Sequence, residues 1–444
     1  MGRIVLIGAN HAGTAAANTI LDNYPENKLT IFDGNDNISY LGCGTALYIG
    51  KQIDDPRSLF YSSREALAAK NAVVHMETEV KRIDFAAGEV QGLDREGREI
   101  RAAYDKLIIA TGSLPIVPRI KGLDLPGVEY VKLFQDGQKI HRLLDGKDIK
   151  TVAVIGAGYI GVEIAEAVRR RGKEALLFEA LDTCLSGYYD DWFSRDMDKI
   201  LGDNGVMLHF SELVREIKGS GKVEAVVTDK GEYAADMVIM AIGFRPNTAL
   251  GAGELKTFGN GAYQVNLRQE TSRNGVYAIG DCATVYSNAL GSDAYIALAT
   301  NAVRSGIVAG HNACGTVIES AGVQGSNGIC IFGYKMVSTG LNLKAAERAG
   351  FTPLYTQYED TQKPAFIKTD NHKVKIRIVY DKETRRVLGA QMASFQDISM
   401  GIHLFSLAIE ERVTIDKLKL LDIFFLPHFN QPYNYITMAA LSAK

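Results

Sequence analysis

Gly42-Cys43-Gly44 sets one cysteine between two glycines, just ahead of an apolar run, Thr45 to Tyr48, with helical spacing. A thiol at a helix N-terminus feels the positive end of the macrodipole, which favours the thiolate and depresses its pKa. The flanking glycines let a flat group come close to the backbone. These residues describe a cysteine poised for redox chemistry. They also describe a small apolar side chain buried in a tight turn, where most free cysteines belong. The surrounding elements decide between the two.

Two glycine loops supply those surroundings. Arg3 to Ile7 reads as a buried strand, followed by Gly8-Ala9-Asn10-His11-Ala12-Gly13 and an alanine-rich helix to about Asn23. A second strand, Lys28 to Phe32, ends in Asp33. In such a βαβ unit the turn and the helix N-terminus hold a pyrophosphate, and the terminal acid takes ribose hydroxyls. Asn10 replaces the middle glycine of the pattern. The unit then recurs in full. The strand Thr151 to Ile155 leads into Gly156-Ala157-Gly158-Tyr159-Ile160-Gly161, a helix to about Arg171, and a strand, Glu174 to Phe178, that ends in Glu179. That acid lies about twenty residues beyond the loop, the spacing of a nucleotide fingerprint. It favours the free 2′-hydroxyl of NADH and repels the 2′-phosphate of NADPH. Arg169-Arg170-Arg171 could suggest the opposite, but cations in a last helical turn are accounted for by the macrodipole. Two units about 150 residues apart point to two dinucleotides, FAD and the nicotinamide that reduces it. Leu107 to Gly112 and Met237 to Gly243 are further buried strands, each entered after an aspartate (Asp105, Asp236) placed to cap it. Gly275 to Ala283 is another, and its Asp281 is placed either to bond ribityl hydroxyls or to cap a loop.

At 444 residues the chain should divide into two to four domains. A net charge of −3 gives no basic bias, which argues against nucleic acid as a partner. Five scattered cysteines, with no Cys-x-x-Cys pair, argue against a disulfide scaffold or a metal site and for a reducing compartment. Cys184, Cys282, Cys314 and Cys330 are expected to be structural. The N-terminus runs straight into a strand without a signal-peptide pattern, and Leu6 stands where a myristoylation motif wants Ser or Thr. The apolar run Val152 to Val168 is interrupted by Glu163 and Glu166, so no membrane span is expected. A soluble cytoplasmic protein is the expectation. From about Gly322 the texture changes to short alternating runs (Val374 to Tyr380, Val387 to Ala393) and helical stretches from Ile398 to Arg412 and Thr414 to Leu421. That pattern describes a separate α+β domain. Its aromatic end, Phe424 to Tyr435, is read as an intersubunit surface, with burial in its own core as the alternative.

With these motifs in place the chain resembles the pyridine-nucleotide disulfide reductase superfamily, and within it the single-cysteine branch of NADH oxidases, NADH peroxidases and coenzyme A-disulfide reductases. The segments that carry the match are Gly8 to Thr14, Ser39 to Gly44, Gly243 to Ala249, Gly280 to Tyr286 and Phe425 to Asn430. The details look most like water-forming NADH oxidases. The resemblance implies an α/β fold with two Rossmann-like dinucleotide-binding domains and a C-terminal α+β dimerisation domain. Residues 1–118 and 246–321 would bind FAD, 119–245 NADH, and 322–444 would form the interface of a homodimer. It implies that Cys43 cycles to sulfenic acid with His11 as its partner. FAD contacts would come from Gly8, Asn10, His11, Ala12, Gly13, Asp33, Cys43, the Val80 backbone, Ala110, Thr111, Gly112, Ser113, Lys132, Asp281, Ala297, Leu298 and Ala299. NADH would touch Gly156, Gly158, Tyr159, Ile160, Gly161, Glu179, Tyr188 and Gly243, and Tyr159 would cover the flavin until nicotinamide displaces it. Dithiol reductases carry a second cysteine five residues after the first and a C-terminal His/Glu pair. Here those positions hold Tyr48 and, beyond His428, Tyr433. A one-cysteine cycle remains, in which NADH and O2 yield water. The alternatives are NADH peroxidase, coenzyme A-disulfide reductase, and a flavin-bound redox sensor without turnover.

Overall fold

A computed structural model describes residues 2–444. The first βαβ unit forms as its pattern dictates: β1 (Arg3–Ile7), α1 (His11–Asn23) and β2 (Lys28–Phe32). Ile4 to Ile7 are buried on both faces, as a parallel strand between helices requires. The sheet runs Val276–Ala278, Lys106–Ile109, β1, β2, Val73–His75, all parallel. The helix Ala299–Ala313 crosses α1 closely. Gly306 makes that approach possible, since a Cβ there would lie 2.3 Å from the Ala12 carbonyl oxygen.

After Cys43, held in a 3₁₀ turn (Gly42–Gly44), comes the five-residue helix α2 (Thr45–Ile49). The second βαβ unit is β3 (Thr151–Ile155), α3 (Tyr159–Arg170) and β4 (Glu174–Glu179). Its parallel sheet runs Val206–Phe210, β4, β3, Met237–Met240, Val128–Tyr130. Asp105 and Asp236 act differently from the caps expected of them. Asp105 accepts the Arg3 N–H and pairs with its guanidinium, and Asp236 accepts the Lys150 and Thr151 N–H groups. Each therefore pins the start of the neighbouring central strand.

Residues beyond Gly322 build an antiparallel sheet in the order Asn327–Ile331, Tyr334–Gly340, Val387–Ser394, Lys373–Asp381, Pro353–Thr361. The alternation expected of Val374 to Tyr380 and Val387 to Ala393 does not translate into one wet face. Val387–Ser394 is buried throughout. One side packs beneath the helices Ser399–Glu410 and Tyr435–Leu441. The other meets the second nucleotide unit, where Gln391 exchanges hydrogen bonds with Asp190 and Arg377 pairs with the same carboxylate at 3.1 Å. The helix expected from Thr414 to Leu421 shortens to Ile415–Leu418. Phe424, Phe425, Phe429 and Tyr433 stand in solvent in the single chain, Tyr433 74% exposed, so they are not that domain's core. No helix among the described residues is long and apolar enough to cross a membrane.

Candidate active site

The two glycine loops are built alike, bond for bond. Gly8 N–H donates to Phe32 O at 2.7 Å and Gly156 N–H to Phe178 O at 2.8 Å, so each turn is tied to the end of the second strand. Ala9 N–H donates to Asp33 at 2.6 Å, and Ala157 N–H to Glu179 at 2.9 Å. Gly8 and Gly156 both have φ near +100° (95° and 100°), and a Cβ on either would meet the Ala110 or Ala241 carbonyl oxygen at 2.3 or 2.6 Å. Only glycine fits there. Neither α1 nor α3 has a side-chain N-cap, which leaves first-turn N–H groups for an anion. A side chain at Gly158 would enter open space. These are cradles fitted to a dinucleotide's pyrophosphate, and they fit FAD and NADH.

Both loops open into one cavity of about 2080 Å³. Every residue expected at the two nucleotides lines it, with the exception of Gly161. The correction has a steric cause: a Cβ on Gly161 would lie 1.8 Å from the Gly156 carbonyl oxygen, so this glycine lets α3 pack against its own turn. Asp33 is half-buried, and its desolvation raises its pKa against the opposing bonds from Asn35 and Ala9. Glu179 accepts N–H groups from Ala157 and Leu181.

Cys43 is exposed to this cavity, and the buried-turn alternative falls away. The expected depression of its pKa does not hold, however. Poor solvation within the concave wall is the largest influence and raises the thiol, with the Glu163 charge adding to it and a backbone hydrogen bond opposing. The 3₁₀ turn and five-residue α2 carry too little dipole to reverse this. Tyr48, at the position of a second thiol, stacks on His141 with centroids 4.5 Å apart. Cys330 also departs from expectation: it is exposed and lines a second cavity, of about 330 Å³, that reaches Cys43 from the C-terminal sheet. Cys184 and Cys282 are buried.

His11 opens α1 and lines the cavity with Cys43. Its Nδ1 is 3.0 Å from the Tyr61 hydroxyl, and the two rings stack. Burial lowers its pKa, Lys132 lowers it further and Asp281 opposes, so the imidazole is neutral at pH 7. Lys132 Nζ donates to Ser113 Oγ at 2.8 Å, Ser113 Oγ donates to Asp281 at 2.9 Å, and Lys132 and Asp281 stand 3.6 Å apart. Three expected residues thus form one polar cluster. Tyr159 bonds Tyr189 at 2.8 Å and donates to Asn327 of the C-terminal sheet, and Tyr188 packs edge-on against its ring. Tyr61, Glu163 and Asn327 were not expected at the site. Tyr61 and Asn327 meet His11 and Tyr159 from far off in sequence, and no local pattern announces any of the three.

Comparison with known proteins agrees with this geometry. The pyridine nucleotide-disulphide oxidoreductase family model matches residues 2–306, and the dimerisation domain of the same name matches residues 327–434. An NADH oxidase of Streptococcus pyogenes serotype M6 is 58% identical over 456 residues, with 100% of each chain covered. One from Lactococcus lactis subsp. cremoris is 54% identical over 445 residues, again covering 100% of both. The solved structure of the water-forming NADH oxidase from Lactobacillus brevis bound to NADH superposes with a TM-score of 0.97 at 36% identity, covering 100% of this chain and 98% of that one.

Proposed function

Because the chain belongs to the pyridine nucleotide-disulphide oxidoreductase family, we infer that it is an FAD-dependent NADH oxidase that reduces O2 to water. The observation that carries this reading is the single cysteine, Cys43, in the wall of the one cavity shared by both nucleotide loops. The Gly8 loop, Asp33 and the Ser113–Lys132–Asp281 cluster would hold FAD, and the Gly156 loop and Glu179 would hold NADH. Bound FAD would accept hydride from NADH and pass the electrons to O2 or to Cys43. The chain's own task is then to keep peroxide from escaping. The Cys43 thiolate attacks it and becomes sulfenic acid, and the hydroxide that leaves takes up a proton to become water. A second NADH returns the thiolate with a second water. Neutral His11, steadied by Tyr61, would hydrogen-bond the peroxide or sulfenate oxygen. With Tyr48 at the position of the second thiol and stacked on His141, the dithiol disulfide cycle has no partner there.

The exposed aromatic segment Phe424 to Tyr433 is the surface on which two copies would pair, and the match to a dimerisation domain supports a homodimer. Five free cysteines support a reducing, cytoplasmic setting. The test is Cys43→Ser. The variant should keep FAD and NADH oxidation but release H2O2. A serine enzyme that still makes only water would remove Cys43 from the mechanism.

A further inference from the structure

We propose that Glu163 is the proton store for the chemistry at Cys43, reloaded from solvent through the small cavity and discharged onto the hydroxide that leaves when the thiolate attacks peroxide. The proposal rests on the reading of Cys43 given above and adds the residue that supplies its proton.

The geometry comes first. Cys43, Ala46, Glu163 and Gly328 line both the large cavity and the small one. Of these, only Cys43 and Glu163 titrate, so they stand together where the cofactor chamber meets a separate passage. Glu166, three residues on, is anchored through Oε1, which pairs with Arg170 at 2.8 Å and accepts the Phe332 N–H at 2.9 Å. Glu163 has no such anchor among the described residues; burial and the Glu166 charge are the influences on it, and together they hold its carboxyl up at about 7. The charged groups of the passage from the C-terminal domain are engaged elsewhere. Lys335 Nζ donates to the Gly333 and Phe395 carbonyls, and Asp397 accepts from Ser399. Cys330 also lines the passage.

Other donors near Cys43 serve poorly. His11 is neutral at pH 7 and engaged with Tyr61. Tyr159 is raised well above its ordinary value, and Tyr40 to about 12. A carboxyl near 7 is the group matched to proton transfer at neutral pH.

The balance closes. Cys-S⁻, H2O2 and Glu-COOH give Cys-SOH, H2O and Glu-COO⁻: the O–O bond breaks, an S–O bond forms, sulfur is oxidised by two electrons, and the leaving hydroxide takes the carboxyl proton. NADH then reduces Cys-SOH to Cys-S⁻ with NAD⁺ and water, and this step needs no further proton. Glu163 regains its proton from solvent.

The test uses FAD-loaded enzyme mixed with H2O2 in the absence of NADH, with Cys43 sulfenic acid trapped by dimedone and quantified by mass spectrometry across pH 5.5 to 9. In the wild type the rate should climb with the thiolate and level off near pH 7, where the acid is lost as fast as thiolate is gained. Glu163→Gln should lose that inflection and be slower at pH 7 by roughly tenfold or more, and Glu163→Asp should restore the inflection. Glu163→Gln matching the wild type in rate and profile would overturn the proton store and leave the role of Cys43 standing. Absence of trapped sulfenic acid in the wild type would overturn both.

Discussion

Gly156 and Gly158 sit two residues apart in the second loop, and the structure gives them different tasks. Gly156 is required by the fold. At φ +100° a Cβ would lie 2.6 Å from the Ala241 carbonyl oxygen, and the turn cannot slide away without breaking the Gly156–Phe178 hydrogen bond. Backbone strain and overpacking each cost about 1–3 kcal/mol, so Gly156→Ala should destabilise the protein by about 2–6 kcal/mol. Gly158 has φ −74°, and a methyl added there would meet nothing within 4 Å, so Gly158→Ala should change stability by no more than about 0.5 kcal/mol. That methyl would occupy the space where a pyrophosphate must approach α3. Losing about 1–3 kcal/mol of binding there weakens NADH about 5- to 150-fold. Urea denaturation of the FAD-loaded proteins reads the first quantity. The NADH dependence of anaerobic flavin reduction, followed by stopped flow, reads the second. Gly158→Ala with wild-type NADH dependence would refute the assignment of this loop to NADH, and a Gly156→Ala protein as stable as wild type would refute the steric argument.

Other predictions follow from charge and exposure. Since Glu163 is held at about 7 against an ordinary 4.5, the native state binds the extra proton; that stabilisation is intact below about pH 4.5 and is lost as pH rises through 7. Relative to Glu163→Gln, the wild type should lose on the order of 2–3 kcal/mol between pH 5 and pH 8; a stability gap that does not vary with pH contradicts this. Lys132→Met removes a cation that lowers His11 and leaves the Asp281 charge that raises it, so the His11 pKa measured by NMR should move up, and a fall would contradict the cluster. Phe425→Asp with Phe429→Asp removes two exposed rings. At about 1.5–3 kcal/mol per buried aromatic, light scattering should find dissociation at least about 100-fold easier, and an unchanged dimer would place the interface elsewhere.

Much of the scaffold was legible because its signals are local. β1, β2 and β3 appear within the residues read from the sequence, since buried runs bounded by glycine turns and acids leave little freedom. The first loop was legible from its strand, turn, helix and terminal acid, and Asn10 in place of the middle glycine did not mislead because the hydrogen bonds run through Gly8 and Ala9. The strands beyond Gly322 were located but the cover on their second face was not legible, because it is Asp190 and its surroundings, about two hundred residues earlier. The thiol pKa went wrong for a similar reason. A helix N-terminus can be seen in twelve residues, whereas desolvation and the Glu163 charge belong to the assembled wall. His11–Tyr61 and Tyr159–Asn327 are likewise products of folding at long range.

The central claim is that one cysteine beside two nucleotide sites completes a four-electron reduction of oxygen. Its most direct test is the NADH consumed per O2 in a closed oxygen-electrode cell, with H2O2 assayed at the end. A ratio near two with no peroxide is expected. A ratio near one with an equal amount of H2O2 would contradict it, making the protein a two-electron oxidase in which Cys43 does something else.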